Sequence, residues 1–161
     1  MILRPAEGGD APQMCAILNE IVAIGGTTAQ EDAVSLAVFH AQLFENESLV
    51  SCFVAEQEGL VLGYQKLGRR DDLPKNCGDI ATFARASKKV KGVGRALFEK
   101  TVEAARDAGF TQINAQIRAD NVPGMGYYAA IGVMPFDARK DVLLKDGTPV
   151  DRMLKRYYLT A

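Results

Sequence analysis

Hairpins and helices both connect the predicted strands of this chain, and that mixture restricts the fold more than any other feature. Residues 49–56 and 60–67 are rich in β-branched and aromatic residues and flank a glycine turn, which predicts a hairpin. Residues 90–108 predict the strongest helix, which lies between predicted strands at 79–84 and 112–118. Hairpins give antiparallel pairs, whereas helical crossovers give parallel pairs. The sequence therefore predicts a mixed, mostly antiparallel central sheet flanked by helices, an α/β (α+β) architecture.

The other segments complete the order β-α-α-β-β-β-α-β-α-β-β within one predicted domain, residues 1–161. Asp10 is the expected N-cap of a first helix whose apolar residues recur at helical spacing as far as Gly25. A length of 161 residues suits one domain, and no repeat, linker or low-complexity segment divides the chain. The remaining predictions are an edge strand at 2–4, helices at 34–44 (capped by Asp32 or Ser35) and 121–130, a polar loop at 68–75, and two final strands joined at Asp146-Gly147.

Charge and composition exclude several kinds of protein. Lys and Arg number 19 against 20 Asp and Glu, and this balance, with no basic stripe, argues against nucleic-acid binding. The longest uncharged stretch, residues 121–136, is too short and too rich in Gly and Pro to cross a membrane, and the first residues resemble no signal peptide. One histidine and three widely spaced cysteines give no metal or redox motif. We therefore expect a cytoplasmic protein with reduced cysteines and no metal.

A basic, glycine-containing turn precedes the strongest helix. Gly92 and Gly94 allow backbone N–H groups to turn toward a ligand, and the helix start adds free donors and partial positive charge. The segment also carries the cations Lys89, Lys91 and Arg95. These features are typical of a diphosphate cradle, although a glycine turn with solvated lysines explains the segment equally well in isolation.

A second segment, residues 118–133, decides between those interpretations. Here Tyr128 follows Asn121 by seven residues and Gly132 follows it by eleven. Together with the cradle, this spacing resembles the GNAT superfamily of acetyl-CoA-dependent N-acetyltransferases, whose pyrophosphate motif is Gln/Arg-x-x-Gly-x-Gly/Ala. This chain departs from the family pattern by having Lys89 in the first position of that motif and Val133 where Phe is usual.

A narrower resemblance is to the phosphinothricin acetyltransferase-like branch of that superfamily. It rests on residues 19–22, on Thr27-Thr28-Ala29, and on Asp79 standing four residues before Phe83. The resemblance extends over essentially the whole chain and implies the GNAT fold, acetyl-CoA as cofactor with coenzyme A as product, and a possible homodimer. It also implies that the strand containing Phe83 splays from its neighbour and hydrogen-bonds the pantetheine arm, which Asn121 holds.

Acetyl transfer to an amine requires a proton acceptor, an oxyanion donor and a proton donor for the thiolate. Asp79 is the first candidate for the base, with a plain surface carboxylate as the alternative. A backbone N–H near Phe83 or Ala84 is the expected oxyanion donor. Tyr128 is the expected general acid, with a core tyrosine as the alternative, and the spacing from Asn121 selects it over Tyr127, which we expect to point elsewhere.

The predicted binding residues fall into two groups. The cofactor group comprises Phe83, Ala84, Lys89, Lys91, Gly92, Val93, Gly94, Arg95 and Asn121. By resemblance, the loop after the first helix lines the acceptor pocket, to which two arginines before the catalytic strand are added as candidates for binding a carboxylate. The acceptor group is Asn19, Glu20, Thr27, Thr28, Arg69 and Arg70. An exposed arginine pair facing Asp71 and Asp72 is the alternative for the last two.

The resulting hypothesis is an N-acetyltransferase that moves the acetyl group of acetyl-CoA directly to the amino group of a small amino acid or analogue within a ternary complex. The expected partner is therefore a small-molecule amine. Two alternatives stay open. One is a GNAT enzyme acting on a polyamine, an aminoglycoside or a protein N-terminus. The other is an acyl-CoA-binding module without catalysis.

Overall fold

A computed structural model describes residues 1–159 and contains one seven-stranded sheet in the order β1-β2-β3-β4-β5-β7-β6. The strands are β1 Ile2–Pro5, β2 Leu49–Gln57, β3 Leu60–Gly68, β4 Cys77–Ala84, β5 Gln112–Arg118, β6 Met134–Leu143 and β7 Pro149–Tyr158. The helices are α1 Ala11–Ile24, α2 Leu36–Phe44, α3 Val93–Asp107 and α4 Val122–Ala130, and a short 3-10 turn, Gly8–Asp10, precedes α1.

The sheet is mixed and mostly antiparallel, which confirms the predicted fold class. Among its neighbouring pairs, β4 and β5 are parallel and all the others are antiparallel. The parallel pair is the one whose strands are connected by α3, as expected for a helical crossover.

A gap opens inside the sheet because β4 and β5 separate along their length. Their pairing covers only Cys77–Asp79 against residues 112–114, whereas β3 accompanies β4 as far as Ala84. The carboxyl-terminal half of β4 therefore has a partner strand on one edge and open space on the other.

Two helical layers cover the two faces of the sheet. On one face, α1 and α2 bury Ile17 and Phe39 against Tyr64 of β3. On the other face, α3 and α4 bury Phe98 and Tyr128 against β5 and its neighbours. Each of these side chains is less than a tenth exposed. Because successive residues of a strand point to opposite faces, neighbouring residues enter different layers.

Asp10 and Ser35 occupy the N-cap positions of α1 and α2, as predicted, but only Ser35 caps its helix through its side chain. Asp10 does not cap α1 through its side chain; its carboxylate instead accepts hydrogen bonds from the N–H of Glu7 at 2.8 Å and from Arg4 at 2.7 and 2.8 Å. Ser35, and not Asp32, caps α2 by accepting the N–H of Val38 at 3.2 Å. In the part of the chain that the structure describes, no helix is long and apolar enough to span a membrane.

Candidate active site

The gap between β4 and β5 opens into a cavity of about 860 Å³. Its walls are the second half of β4, the turn before α3, the loop after α1, the start of α4 and the end of β5. The cavity is strongly biased toward positive charge, because Asp79 is the only acidic residue lining it among residues 1–159. The basic residues that line it are Lys66, Arg70, Arg85, Lys88, Lys89, Arg118 and Arg152.

The amino terminus of α3 forms the anion-binding end of this cavity. Gly92 precedes the helix in the left-handed region, with a φ of +90°, and a Cβ built on it meets no atom within 4 Å. As in any α-helix, the first-turn N–H groups of Val93, Gly94 and Arg95 have no acceptor within the helix. Among residues 1–159 no side chain caps this helix either, so these donors stay free for a ligand. Lys89 also lines the cavity. This arrangement of free donors and positive charge fits a diphosphate.

The predicted basic residues differ in where their side chains lie. Lys91 is exposed and does not line the cavity. Arg95 donates to the carbonyl of Ala130 at 3.3 Å, which directs it along the surface toward the end of α4. The structure therefore places Lys89, and not Lys91 or Arg95, on the cavity wall.

Gly94 has no room for a side chain, for a reason that the sequence did not reveal. A Cβ at this position would lie 2.6 Å from Cε1 of Tyr127. The Tyr127 hydroxyl also donates to the carbonyl of Gly94 at 2.8 Å. The packing of α4 against α3 thus requires glycine at position 94, whereas the positive φ requires it at position 92.

The backbone of β4 distinguishes between the two predicted oxyanion donors. The N–H of Arg85 donates to the carbonyl of Leu62 at 2.8 Å. Because donors alternate between the two edges of an antiparallel strand, the N–H of Phe83 also faces β3 and the N–H of Ala84 faces the gap. Ala84 therefore presents its N–H to the cavity.

Both polar atoms of the Asn121 amide make hydrogen bonds to the backbone. Its Oδ1 accepts the N–H of Gly124 at 2.9 Å and caps α4, while its Nδ2 donates to the carbonyl of Thr27 at 2.8 Å. The residue lines the cavity and joins α4 to the loop after α1.

Tyr128 lies beneath β4 on the α3–α4 face. It is 7% exposed, and its hydroxyl is 2.9 Å from Oγ1 of Thr82. Burial raises the pKa of Tyr128 well above its ordinary value, so the phenol stays protonated at neutral pH. The expectation that Tyr127 points elsewhere was wrong, because its ring lies 4.9 Å from that of Tyr128 and its hydroxyl is 3.0 Å from Nε2 of Gln65.

Asp79 lies on the opposite face of β4, in a polar setting. Asn114 donates to its Oδ1 at 2.9 Å, and a guanidinium nitrogen of Arg70 is 3.7 Å from its Oδ2. Burial raises the pKa of Asp79, and the contacts with Asn114 and Arg70 oppose that rise. Arg156 fixes the amide of Asn114 by donating to its Oδ1 at 2.9 Å, and its guanidinium stacks over Phe136 at 4.5 Å. A carboxylate held in this way is suited to accept a proton.

The structure brings only part of the predicted acceptor group to the cavity. Thr27, Thr28 and Arg70 line it, although Asp72 already binds both arms of the Arg70 guanidinium at 2.9 and 2.7 Å. The other members lie elsewhere. Asn19 exchanges hydrogen bonds with the backbone of Val34, Glu20 accepts the N–H of Ser87, and Arg69 stacks over Phe110 at 4.6 Å.

Sequence reasoning missed several polar residues that support or line the site. Asn114 and Gln116 are the polar members of an alternating strand, so the alternation itself was a signal that they share a face. Lys66 and Arg152 also line the cavity, and neither has an ion-pair partner within residues 1–159. Lys66 and Arg152 reach the cavity because of the order of β3 and β7 in the sheet, which the sequence did not specify. The described residues contain no cluster that could hold a metal ion.

Comparison with protein families gives one clear match. The model of the acetyltransferase (GNAT) family matches residues 15–133, which is most of the chain. A sequence search of curated proteins finds no match.

Solved structures match the chain over nearly its whole length. A ribosomal-protein-alanine N-acetyltransferase from Brucella melitensis is 25% identical, with a TM-score of 0.89 and coverage of 99% of this chain and 100% of that one. A candidate acetyltransferase from Salmonella typhimurium, solved with its cofactor acetyl-CoA, is 21% identical, with a TM-score of 0.87 and coverage of 99% and 94%. A candidate phosphinothricin N-acetyltransferase is 22% identical, with a TM-score of 0.86 and coverage of 99% of each chain.

Proposed function

The chain belongs to the GNAT family of acetyl-CoA-dependent N-acetyltransferases, and from that premise we propose that its acceptor is the amino group of a small amino acid or analogue. The observation that carries the proposal is the charge pattern of the cavity, where Asp79 is the single lining carboxylate among residues 1–159 and faces an excess of cations. An amine of ordinary pKa must lose a proton before it attacks. An acceptor with both an amino group and a carboxylate would give its amine proton to Asp79 and bind its carboxylate to the lining cations.

The cations available to bind that carboxylate are Lys66, Arg70 and Arg152. Lys66 and Arg152 have no ion-pair partner in the described chain, whereas Asp72 competes for Arg70. An arginine or lysine that faces a carboxylate inside a cavity gives a charge-assisted hydrogen bond, which is stronger than a neutral one. Thr27 and Thr28 supply neutral polar contacts at the same opening.

In the proposed mechanism, each residue has one task. The α3 amino terminus and Lys89 hold the diphosphate of acetyl-CoA, which supplies the activated thioester when bound. The N–H of Ala84 stabilises the negative charge that develops on the carbonyl oxygen. With acetyl-CoA bound, Asp79 would take a proton from the acceptor ammonium before attack, and the nitrogen would release its second proton to water once the C–N bond has formed. Tyr128 would give a proton to the sulfur as the C–S bond breaks. Holding both reactants in one cavity supplies much of the rate by proximity.

A protein N-terminus is the second candidate acceptor. The likeness to a ribosomal-protein-alanine N-acetyltransferase favours it. The positive charge of the cavity disfavours polyamines and aminoglycosides, because they are themselves cationic at neutral pH. We also propose that residues 1–161 form one domain acting in the cytoplasm, and the homodimer stays a prediction from family resemblance.

The test is thiol release from acetyl-CoA across a panel of amino acids, their decarboxylated amines, peptides with free N-termini, and a polyamine. Turnover confined to amino acids supports the proposal, whereas preferential turnover of peptides contradicts it. Cofactor binding with no thiol release by any amine would point to a binding module without catalysis.

Gly92→Asp and Gly92→Asn form a matched pair for the cofactor site. Both place a side chain of similar size at the same left-handed φ, but only the aspartate adds negative charge at the helix start. We expect Gly92→Asp to weaken acetyl-CoA binding by about 100-fold and Gly92→Asn by much less, as measured by calorimetry. Equal losses would contradict the diphosphate site.

A further inference from the structure

A continuous path of hydrogen bonds crosses the α3–α4 face beneath β4. The Tyr127 hydroxyl donates to the carbonyl of Gly94 at 2.8 Å and accepts from Nε2 of Gln65 at 3.0 Å. The same Nε2 donates to Oγ1 of Thr82 at 2.9 Å, and that oxygen is 2.9 Å from the hydroxyl of Tyr128. The path therefore connects the first turn of α3 to the proposed general acid.

The direction of the protons along this path follows from the burial of Gln65. Its side chain is fully buried, its Nε2 makes both hydrogen bonds, and its Oε1 has no partner among residues 1–159. Exchanging the amide oxygen and nitrogen would leave two buried N–H donors unpaired in place of one acceptor, which costs more. Thr82 therefore accepts a hydrogen bond from Gln65.

With Oγ1 accepting from Gln65, the Thr82 hydroxyl can donate its own proton to Tyr128, and either oxygen of this contact can be the donor. If Tyr128 instead donated to Thr82, the phenol proton would be engaged in that hydrogen bond and would not be available to a leaving sulfur. If Thr82 donates to the phenol oxygen, the Tyr128 proton is free to point into the cavity, which both residues line. The bond would also strengthen as negative charge grows on the phenol oxygen.

We propose that Thr82 is a positioning residue for Tyr128: its hydroxyl, oriented by Gln65, donates to the Tyr128 oxygen and directs the phenol proton toward the cavity. This inference rests on the proposed function. The proton that Tyr128 gives to sulfur leaves a phenolate, which keeps the Thr82 hydrogen bond and regains a proton from water. Thr82 itself transfers no proton.

The first test is a double-mutant cycle with Thr82→Val, Thr82→Ser and Tyr128→Phe. Valine keeps the branched shape and removes the hydroxyl, whereas serine keeps the hydroxyl. We expect Thr82→Val to lower kcat about 10-fold with acetyl-CoA affinity nearly unchanged and the melting temperature lowered, because it leaves a buried N–H of Gln65 unpaired, and we expect Thr82→Ser to retain most activity and stability. In the Tyr128→Phe background, Thr82→Val should cost nothing further. An equal loss in both backgrounds would overturn the proposal.

The second test needs no turnover, so it separates failure of this inference from failure of the proposed function. NMR of the whole protein in water should show a slowly exchanging hydroxyl proton that correlates with Thr82 and disappears in Thr82→Val. A protected hydroxyl proton that correlates instead with Tyr128 would overturn the proposed direction. If no amine is acetylated while the Thr82 proton is found, the acceptor assignment fails and the hydrogen-bond direction stands.

Discussion

Strand β4 presents two different environments on its two faces. On the α3–α4 face, Thr82 meets Gln65 and the buried phenol of Tyr128. On the other face, Asp79 meets Asn114 and Arg70 beside a cavity rich in positive charge. One set of partners is neutral and enclosed, and the other is charged and partly open to water.

The difference shows how one strand can serve two kinds of proton chemistry. Successive residues point to opposite faces, so Thr82, which contacts the proposed acid, and Asp79, the proposed base, can be close along β4 and still have separate surroundings. Burial raises the pKa of both groups. The raised pKa keeps the Tyr128 phenol protonated and able to donate. The raised pKa of Asp79 makes its carboxylate a stronger base, while hydrogen bonds and charge from Asn114 and Arg70 favour the ionised form.

Removing the Tyr128 hydroxyl should give the largest effect, and it tests the enclosed face of β4. Tyr128→Phe keeps the ring packing, so we expect kcat to fall about 100-fold with acetyl-CoA affinity nearly unchanged. Tyr127→Phe is the matched comparison, since it removes a neighbouring hydroxyl that binds Gly94, and its effect should be smaller. Steady-state kinetics with calorimetry measure both. Similar kcat losses in the two variants would contradict the special role of Tyr128.

Asp79→Asn tests the charged face and should lower kcat about 30-fold, somewhat below the roughly 100-fold at which the usual range for a general base begins. Because burial raises the pKa of Asp79, the acidic limb of the wild-type pH–rate profile should lie above the ordinary aspartate value of 3.8. The variant should lose that limb. Asp71→Asn, an exposed loop carboxylate, makes the same charge change and should leave the profile as it is. A limb that persists in Asp79→Asn would assign the base elsewhere.

The cations that line the cavity with Asp79 should show a smaller effect that depends on the substrate. Arg152→Met should raise KM for an amino acid about 10-fold more than KM for its decarboxylated amine, because only the acid uses the charge. Arg70→Ala should change that ratio less, since Asp72 already occupies its guanidinium. Competition assays with paired substrates give both ratios. Equal changes for acid and amine would remove the carboxylate from the proposed acceptor.

The sequence predicted the strand and helix order and singled out Asp79 and Tyr128, which line the cavity, because periodicity and motif spacing are local properties. The glycine turn before α3 and the spacing from Asn121 to Tyr128 are contained in short segments. Asp10 takes the predicted N-cap position of α1, but its carboxylate binds Arg4, and of the two predicted caps of α2 the structure has Ser35.

The supporting residues could not be predicted, because they come from distant strands. Gln65 reaches Thr82 across the β3–β4 pair, and Arg156 reaches Asn114 across the β5–β7 pair. Their meeting depends on strand order and register, which follow from the whole fold. The placement of Asn19 and Arg69 away from the cavity is of the same kind, since each donates instead to a backbone carbonyl outside it.

The smallest predicted effect concerns stability, and it tests whether Asp79 is held in a setting that resists ionisation. Its pKa is raised on folding, so the unfolded chain ionises first as pH rises. The free energy of unfolding of the wild type, minus that of Asp79→Asn, should therefore be highest below about pH 3.8 and fall until the folded-state pKa is passed. We expect urea titrations to show this difference falling between acidic and neutral pH, each tenfold change in the ionisation equilibrium being worth about 1.4 kcal/mol. The amide oxygen of the substituted side chain can still accept the Asn114 hydrogen bond, so the difference isolates the charge. A difference that rises with pH would mean that Asn114 and Arg70 outweigh burial, and the charged face would then stabilise the base instead of activating it.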